Sequence, residues 1–391
     1  MLGISVFALT ASIGACGNEN GSPWFPPPSS PSSSPSSYMM FGAISPGDAH
    51  TCAITTDGTS YCWGDNFDGQ LGTETPSDRL TPTRVAGGLH FTMLDAGFRH
   101  TCGVTTSGAL YCWGHNAEGE LGDGTTTDRT TPKAALGGLE LVSVSASLAH
   151  SCGLTTSGDV YCWGSNSYGQ LGDGTTTQRS SPVLVAGGLR FAGVSTGYGH
   201  SCAITVGASA YCWGHNINGQ LGDSTTSDRS SPTPVQGGLL FTRVRAGYLH
   251  TCGITTVGVA YCWGDNSNGQ LGDGTKLAQL SPVAVQNGLQ FATISAGFAT
   301  SCGVTTAGQS YCWGRNSRGE VGDGTTTDRL MPTPVGTPPL GLDNVAMLNS
   351  GGSHTCVVTH DAAAFCWGMN GNGQLGDGTT RDRPTPVRVA P

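Results

Sequence analysis

The chain has 391 residues, of which 62 are glycine and only 11% are charged. That composition excludes a helical bundle and favours many short strands joined by tight turns. A net charge of −9 and a pI near 5.5 argue against a nucleic-acid surface, which needs a basic stripe.

Residues 2–15 are apolar and end at Cys16. The stretch is too short to span a bilayer as a helix but suits the apolar region of a signal peptide. Ile13-Gly14-Ala15-Cys16 resembles a bacterial lipobox, which would make Cys16 the lipidated first residue of the mature chain. No Lys or Arg precedes the apolar region, so the true start lies upstream or the segment is a plain secretion signal. The alternative is an apolar N-terminus retained in the cytoplasm. Residues 17–37 then run through Pro/Ser repeats that cannot bury a core, and read as an extended spacer.

From residue 38 to 391 the sequence repeats. Variants of Tyr-Cys-Trp-Gly-x-Asn-x-x-Gly-Gln-Leu-Gly open at Tyr61, Tyr111, Tyr161, Tyr211, Tyr261, Tyr311 and Phe365. The first six are 50 residues apart, and four extra residues precede the seventh. Such a period marks a unit that buries its apolar face only by stacking on copies of itself. In the first copy, Phe41–Ser45 and His50–Thr55 are β-type runs split by Pro46-Gly47. Thr59–Gly64 follows Asp57-Gly58, a hairpin signal, and Pro82–Ala86 closes the unit. Four strands per copy and seven copies predict an all-β, seven-bladed propeller of four-stranded blades.

Fifteen cysteines divide into seven pairs and the outlier Cys16. The pairs are Cys52 with Cys62, Cys102 with Cys112, Cys152 with Cys162, Cys202 with Cys212, Cys252 with Cys262, Cys302 with Cys312 and Cys356 with Cys366, each ten positions apart. A three-residue loop Thr56-Asp57-Gly58 with Gly58 left-handed sets Cys52 directly opposite Cys62, within reach of a cross-strand disulfide. The register is less constrained where Ala208 and Ala362 replace the glycine. Disulfides suit an exported chain. Two other readings stay open: buried free thiols, and zinc on His50, Cys52 and Cys62. Zinc lacks a fourth ligand, and Thr300 replaces the His in the sixth copy. The histidines read as structural, and the recurring Asn66, Asn116, Asn166, Asn216, Asn266, Asn316 and Asn370 as turn caps. Arg79, Arg129, Arg179, Arg229, Arg329 and Arg383, mostly preceded by Asp, read as paired turn residues. No nucleophile elbow, phosphate loop, EF-hand or zinc-protease motif occurs, so neither catalytic residues nor a metal or other cofactor are expected.

The run Ala96-Gly97-Phe98-Arg99-His100-Thr101-Cys102, then Gly108, then Tyr111-Cys112-Trp113-Gly114-x-Asn116-x-x-Gly119-x-Leu121-Gly122 resembles the regulator of chromosome condensation repeat. The resemblance covers about residues 41–391 and implies a propeller often closed by pairing strands from both chain ends, here Phe41–Ser45 with Pro386–Ala390. The founding member exchanges nucleotide on a small nuclear GTPase while docked on chromatin. Exported bacterial members include β-lactamase inhibitors that bind through a face of loops. Fold does not carry function, so the site is argued separately.

Positions that vary between copies are free to specialise. Just before the recurring His, successive copies carry Asp48, Phe98, Leu148, Tyr198, Tyr248, Phe298 and Gly352. Five consecutive blades thus offer a bulky side chain at one loop position, forming either an interface crescent or packing against the neighbouring blade. After Trp-Gly come Asp65, His115, Ser165, His215, Asp265, Arg315 and Met369, a polar rim or solvated turns. The sequence predicts a monomeric, non-enzymatic, extracytoplasmic protein-binding propeller in the bacterial cell envelope or secreted. Its partner-binding residues would be Phe98, Arg99, Leu148, Tyr198, Tyr248 and Phe298. It would bind no nucleic acid and touch a membrane only through Cys16. The alternative is a guanine-nucleotide exchange factor, which requires an uncleaved N-terminus, reduced cysteines and a small GTPase.

Overall fold

The computed structural model describes residues 38–336, 342 and 344–391. The leader and lipobox expected at 1–16, with Cys16, and the linker at 17–37 lie outside them. Blade 1 is an antiparallel meander of Phe41–Pro46, His50–Thr55, Ser60–Gly64 and Arg79–Arg84. Six further blades repeat it, each a four-stranded sheet built from contiguous sequence. The seven-bladed propeller expected from the period is the observed fold.

The turn between the second and third strands sets the register. Gly58 has φ 84°, and the alanines at the equivalent position hold the same left-handed turn, Ala208 at 67° and Ala362 at 63°. Cys52 therefore faces Cys62, and in the two alanine blades Cys202 faces Cys212 and Cys356 faces Cys366. Cys102 stands opposite Cys112, Cys152 opposite Cys162, Cys252 opposite Cys262 and Cys302 opposite Cys312 in the same register. All seven pairs are disulfides with Cα atoms 4.0–4.1 Å apart, so neither free thiols nor a zinc–thiolate site is formed. The outer strand starts at Arg79, earlier than the Pro82 expected from sequence. A register shift lets Arg79 pair with Gly64, and Pro82 is tolerated because this is an edge strand.

The core lies between blades. In one joint Cys52, Ile54, Leu71 and Val85 of blade 1 pack on Phe91, Leu94 and Trp113 of blade 2. Gly72, at φ 68°, lies against the Trp113 indole so closely that a Cβ there would meet Nε1 at 2.8 Å. Polar bonds reinforce the joint. The Thr101 hydroxyl and Trp113 Nε1 of blade 2 both donate to the Gln70 carbonyl of blade 1, at 2.8 and 2.9 Å. Because the Thr101 proton is committed there, His50 Nε2–H must be the donor in its 2.9 Å bond to Thr101 Oγ1. The same arrangement recurs at His100, His150, His200, His250 and His354.

Ring closure departs from expectation. Phe41–Pro46 pairs only within blade 1 and Arg383–Arg388 only within blade 7, so no strand is exchanged between chain ends. Each end supplies a complete four-stranded unit, which leaves no gap to fill. The seam instead repeats the ordinary joint: Trp63 packs with Leu375 and Val389, and its Nε1 donates to the Gln374 carbonyl at 3.0 Å.

Five of the six recurring arginines are paired turn residues, but not with the residue before them, while Arg79, with Thr73 in place of the partner Asp, bonds only the Thr75 hydroxyl. Arg129 binds Asp123, six residues earlier, while Asp128 accepts the Asn116 N–H. Arg179, Arg229, Arg329 and Arg383 bind Asp173, Asp223, Asp323 and Asp377. The asparagines cap the long loop between third and fourth strands; Asn116 Nδ2 donates to the Thr127 carbonyl at 3.0 Å.

Strand direction fixes two faces. Loops between first and second strands, and the long loops between third and fourth, share one face. The short hairpin turns and the connections between blades share the other. Phe41 N–H donates to the Ala362 carbonyl, so the chain enters the propeller on the hairpin face.

Candidate functional site

On the loop face, each inner loop is a tight turn: Gly47 N–H donates to the His50 carbonyl at 2.8 Å, with equivalents in the other blades. Asp48, Phe98, Tyr198, Tyr248, Phe298 and Gly352 also donate their backbone N–H groups to the inner loop of the next blade. The loops therefore form a collar around the axis, hydrogen-bonded at every joint but that between Leu148 and the blade 4 loop. Side chains on it are held by a rigid support, which lowers the entropy lost on binding.

The collar surrounds a shallow depression lined by Asp48, Phe98, Leu148, Tyr198, Tyr248 and Phe298. None of the five bulky residues belongs to an interblade core, and each is half-buried. They pack on one another instead. The Tyr198 and Tyr248 rings are 4.1 Å apart and tilted 44°; Tyr248 and Phe298 are 4.0 Å apart at 30°. Three aromatic rings from three blades thus form a continuous arc. The Arg315 guanidinium lies 5.1 Å over Phe298 and is anchored by Glu320 and Ser353.

Burial pushes the Tyr248 hydroxyl up to about 12, with Tyr198 and Asp48 adding to the effect. It stays a neutral donor at every physiological pH. Across the mouth stands Asp48, the only acidic member of its series. Burial and, to a lesser extent, Asp65 raise its carboxyl to about 6, while Arg315 pulls the other way. Asp48 is mostly ionised at pH 7 and gains a proton just below it.

Arg99 is turned away from this arc. It binds Asp68 at 2.5 Å and lies 5.7 Å over the Phe67 ring, on the rim. The second variable series, which the sequence leaves as rim or solvated turns, is half-buried beside the collar. Besides Arg315, it contributes His215, stacked 4.3 Å from Tyr168. Sequence reasoning missed Phe67, Tyr168 and Ile217, which are 76%, 38% and 65% exposed on the long loops. A signal was present: the first and last stand where other copies carry Ala117, Ser167, Ser267, Ser317 and Gly371. Among the described residues no group of three His, Cys, Asp or Glu side chains is placed to hold a metal ion.

Fold and site together define a disulfide-stapled, seven-bladed repeat propeller with a variable axial loop collar. A model of the RCC1-like domain matches residues 86–391, and models of the regulator of chromosome condensation (RCC1) repeat match 43–70 and 57–104. The chain belongs to the RCC1-like family. Its fold is similar to that of human WBSCR16, at 23% identity and TM-score 0.76, covering 85% of this chain and 94% of that one. Prp20p from Saccharomyces cerevisiae matches at 22% identity and TM-score 0.70, covering 79% and 80%. The ectodomain of the Arabidopsis thaliana receptor kinase ACR4 matches at 20% and 0.55, covering 90% and 99%. No curated protein sequence matches the chain.

Proposed function

We propose that this propeller is a non-enzymatic, monomeric protein-binding platform whose partner docks on the axial collar of the loop face. The observation that carries the reading is the Tyr198–Tyr248–Phe298 arc, stacked outside every core on a hydrogen-bonded ring of loops. Rigid aromatics with a polar tip are common anchors of protein interfaces. Leu148 and Phe98 extend the arc, and Arg99 with Phe67 supplies a rim contact.

Seven buried disulfides support an extracytoplasmic location, in the cell envelope through Cys16 or secreted, because cytosolic thiols are kept reduced. The second reading, exchange on a small GTPase, draws on the likeness to Prp20p, a protein whose structure was described with its binding to Gsp1p and histones. The disulfides and the net charge of −9 count against it, and against nucleic acid as a ligand.

The test uses the immobilised protein and proteins from the envelope and medium of its native host. Tyr198→Ala/Tyr248→Ala should lose a specifically retained partner, with the melting temperature moved by less than about 2 °C. Val206→Ser/Val257→Ser, on the opposite face, should retain it. Loss through the hairpin-face pair alone would overturn the reading. Thiol-trapped, non-reducing peptide mapping separates the two locations: fourteen free thiols would favour the exchange factor.

A further inference from the structure

The inner strands leave one row of backbone donors facing the axis, and the side chains that cap them obey a rule. In blade 2 the Ala96 N–H donates to Ser45 Oγ of blade 1 at 3.0 Å. Ala146 N–H donates to Asp95, Thr196 N–H to Ser145, Ala246 N–H to Ser195 and Ser350 N–H to Ser295, at 2.8–3.1 Å. Each blade thus caps its neighbour with an acceptor. At the seam the neighbour is Pro46, which has no N–H, and the capping residue changes to suit. Asn349 Nδ2 there donates to the Ile44 carbonyl at 2.9 Å.

One joint breaks the rule without such compensation. Between blades 5 and 6 the capping position is held by Arg245, which has donors only, so it offers no acceptor to the Ala296 N–H, the equivalent of the capped Ala96 N–H. Arg245 makes one long bond, from Nη1 to the Val244 carbonyl at 3.4 Å, and among the described residues no carboxylate lies within 4.0 Å of it. The sole carboxylate in this ring, Asp95, is committed to the Ser45 hydroxyl and the Ala146 N–H. Ala296 is also less buried than Ala96, Ala146 and Ala246. On the other side of Arg245, Gly193 leaves a cavity of about 410 Å³, lined by Val194, Ile204, Thr242, Arg243 and Arg245. A second arginine thus adds positive charge, and burial with this neighbour pulls Arg245 below its usual range, against the weaker opposing pull of Asp95.

We propose that the joint between blades 5 and 6 binds one small monovalent anion, a halide or a carboxylate of formate or acetate size, between the Arg245 guanidinium and the Ala296 N–H. The anion takes the place of the acceptor that every other N–H in the row receives from a side chain. It makes this joint the one whose polar bonding depends on a ligand. The site adjoins the collar, because Ala296 also lines the axial depression.

Bromide and formate serve as probes on the purified full-length protein, titrated at constant ionic strength against the bulky sulfonate HEPES. A saturable rise in melting temperature of about 3 °C at a hundredfold excess over Kd is expected. Arg245→Ser installs the residue used at four other joints, gives Ala296 its acceptor, and should abolish the rise. A rise that survives in the variant, or no saturable rise in the wild type, would overturn the proposal. Anomalous diffraction from wild-type crystals soaked in bromide decides the matter should the variant not fold. A peak between Arg245 and Ala296 supports the site, and an empty position refutes it.

Discussion

Two rings encircle the same axis two residues apart in sequence, and they differ in almost every physical respect. The histidine ring, at 50, 100, 150, 200, 250 and 354, is fully buried, chemically uniform and bonded from blade to blade. The collar at 48, 98, 148, 198, 248, 298 and 352 is half-buried and varied, and its side chains lie outside the cores. Both share the loop geometry that Gly47 and its equivalents set up. What repeats is therefore what the blade requires, and what varies in the next turn of the same loop is what the blade leaves free.

Acid should destabilise the fold through the first ring, whereas in the second it only neutralises Asp48, near pH 6. Burial holds His50, His100, His150, His200 and His354 down to about 3, and His250 to about 4. Unfolded, each would titrate near 6.5. The unfolded chain thus binds up to six more protons between those limits. Stability is intact above pH 6.5 and lost as pH falls toward 4, by roughly 1.4 kcal/mol per pH unit per histidine, or about 8 kcal/mol per unit at the steepest. Urea midpoints at pH 7, 6 and 5 measure the slope; a flat profile would contradict the buried neutral ring.

Within blade 5 the contrast can be read from two aromatic truncations. Trp263→Ala empties a fully buried joint and removes the bond to the Gln220 carbonyl, costing about 3–5 kcal/mol. Tyr248→Ala should cost less, about 1 kcal/mol, since its ring is only partly buried and lies outside the interblade cores. Denaturant unfolding of both variants tests this. Equal losses would make the collar a structural ring like its neighbour.

The strands, the hairpin register and the disulfides, from Cys52–Cys62 through Cys152–Cys162 to Cys356–Cys366, were legible because a three-residue turn fixes them locally. Even Ala208 and Ala362 obeyed it, as the left-handed turn is closed by Thr205 and Thr359 backbone bonds rather than by glycine alone. The collar was legible as a variable position in a strict repeat. The rest depended on partners brought together only by the fold, within a blade or from the next one. That Arg315 lies on Phe298 needs the relative position of two loops. That Arg245 breaks a capping rule needs the Ala296 N–H of the next blade. The strand exchange expected from family resemblance failed because both chain ends already complete their own sheets.

The smallest expected effect lies where the histidine ring is interrupted. Thr300 stands in place of histidine and donates to the Arg315 carbonyl, so Thr355 of blade 7 receives no imidazole donor. Its own bond to the Glu320 carbonyl is 3.4 Å, against 2.8 Å for Thr101 at the corresponding carbonyl. Ser350 Oγ lies 3.3 Å from Thr355 Oγ1, where its equivalents Ala96, Ala146, Ala246 and Ala296 offer nothing. The serine hydroxyl thus stands in for the missing ring nitrogen. Thr300→His should restore the donor, gain up to about 1 kcal/mol at pH 7, and add one proton to the acid slope. Ser350→Ala should cost about 0.5–1 kcal/mol in the wild type and nearly nothing beside His at 300, a coupling that a double-mutant cycle reads directly. Equal costs in the two backgrounds would mean that the serine packs there without substituting for the histidine, leaving this joint held by Trp367 and the Glu320 carbonyl alone.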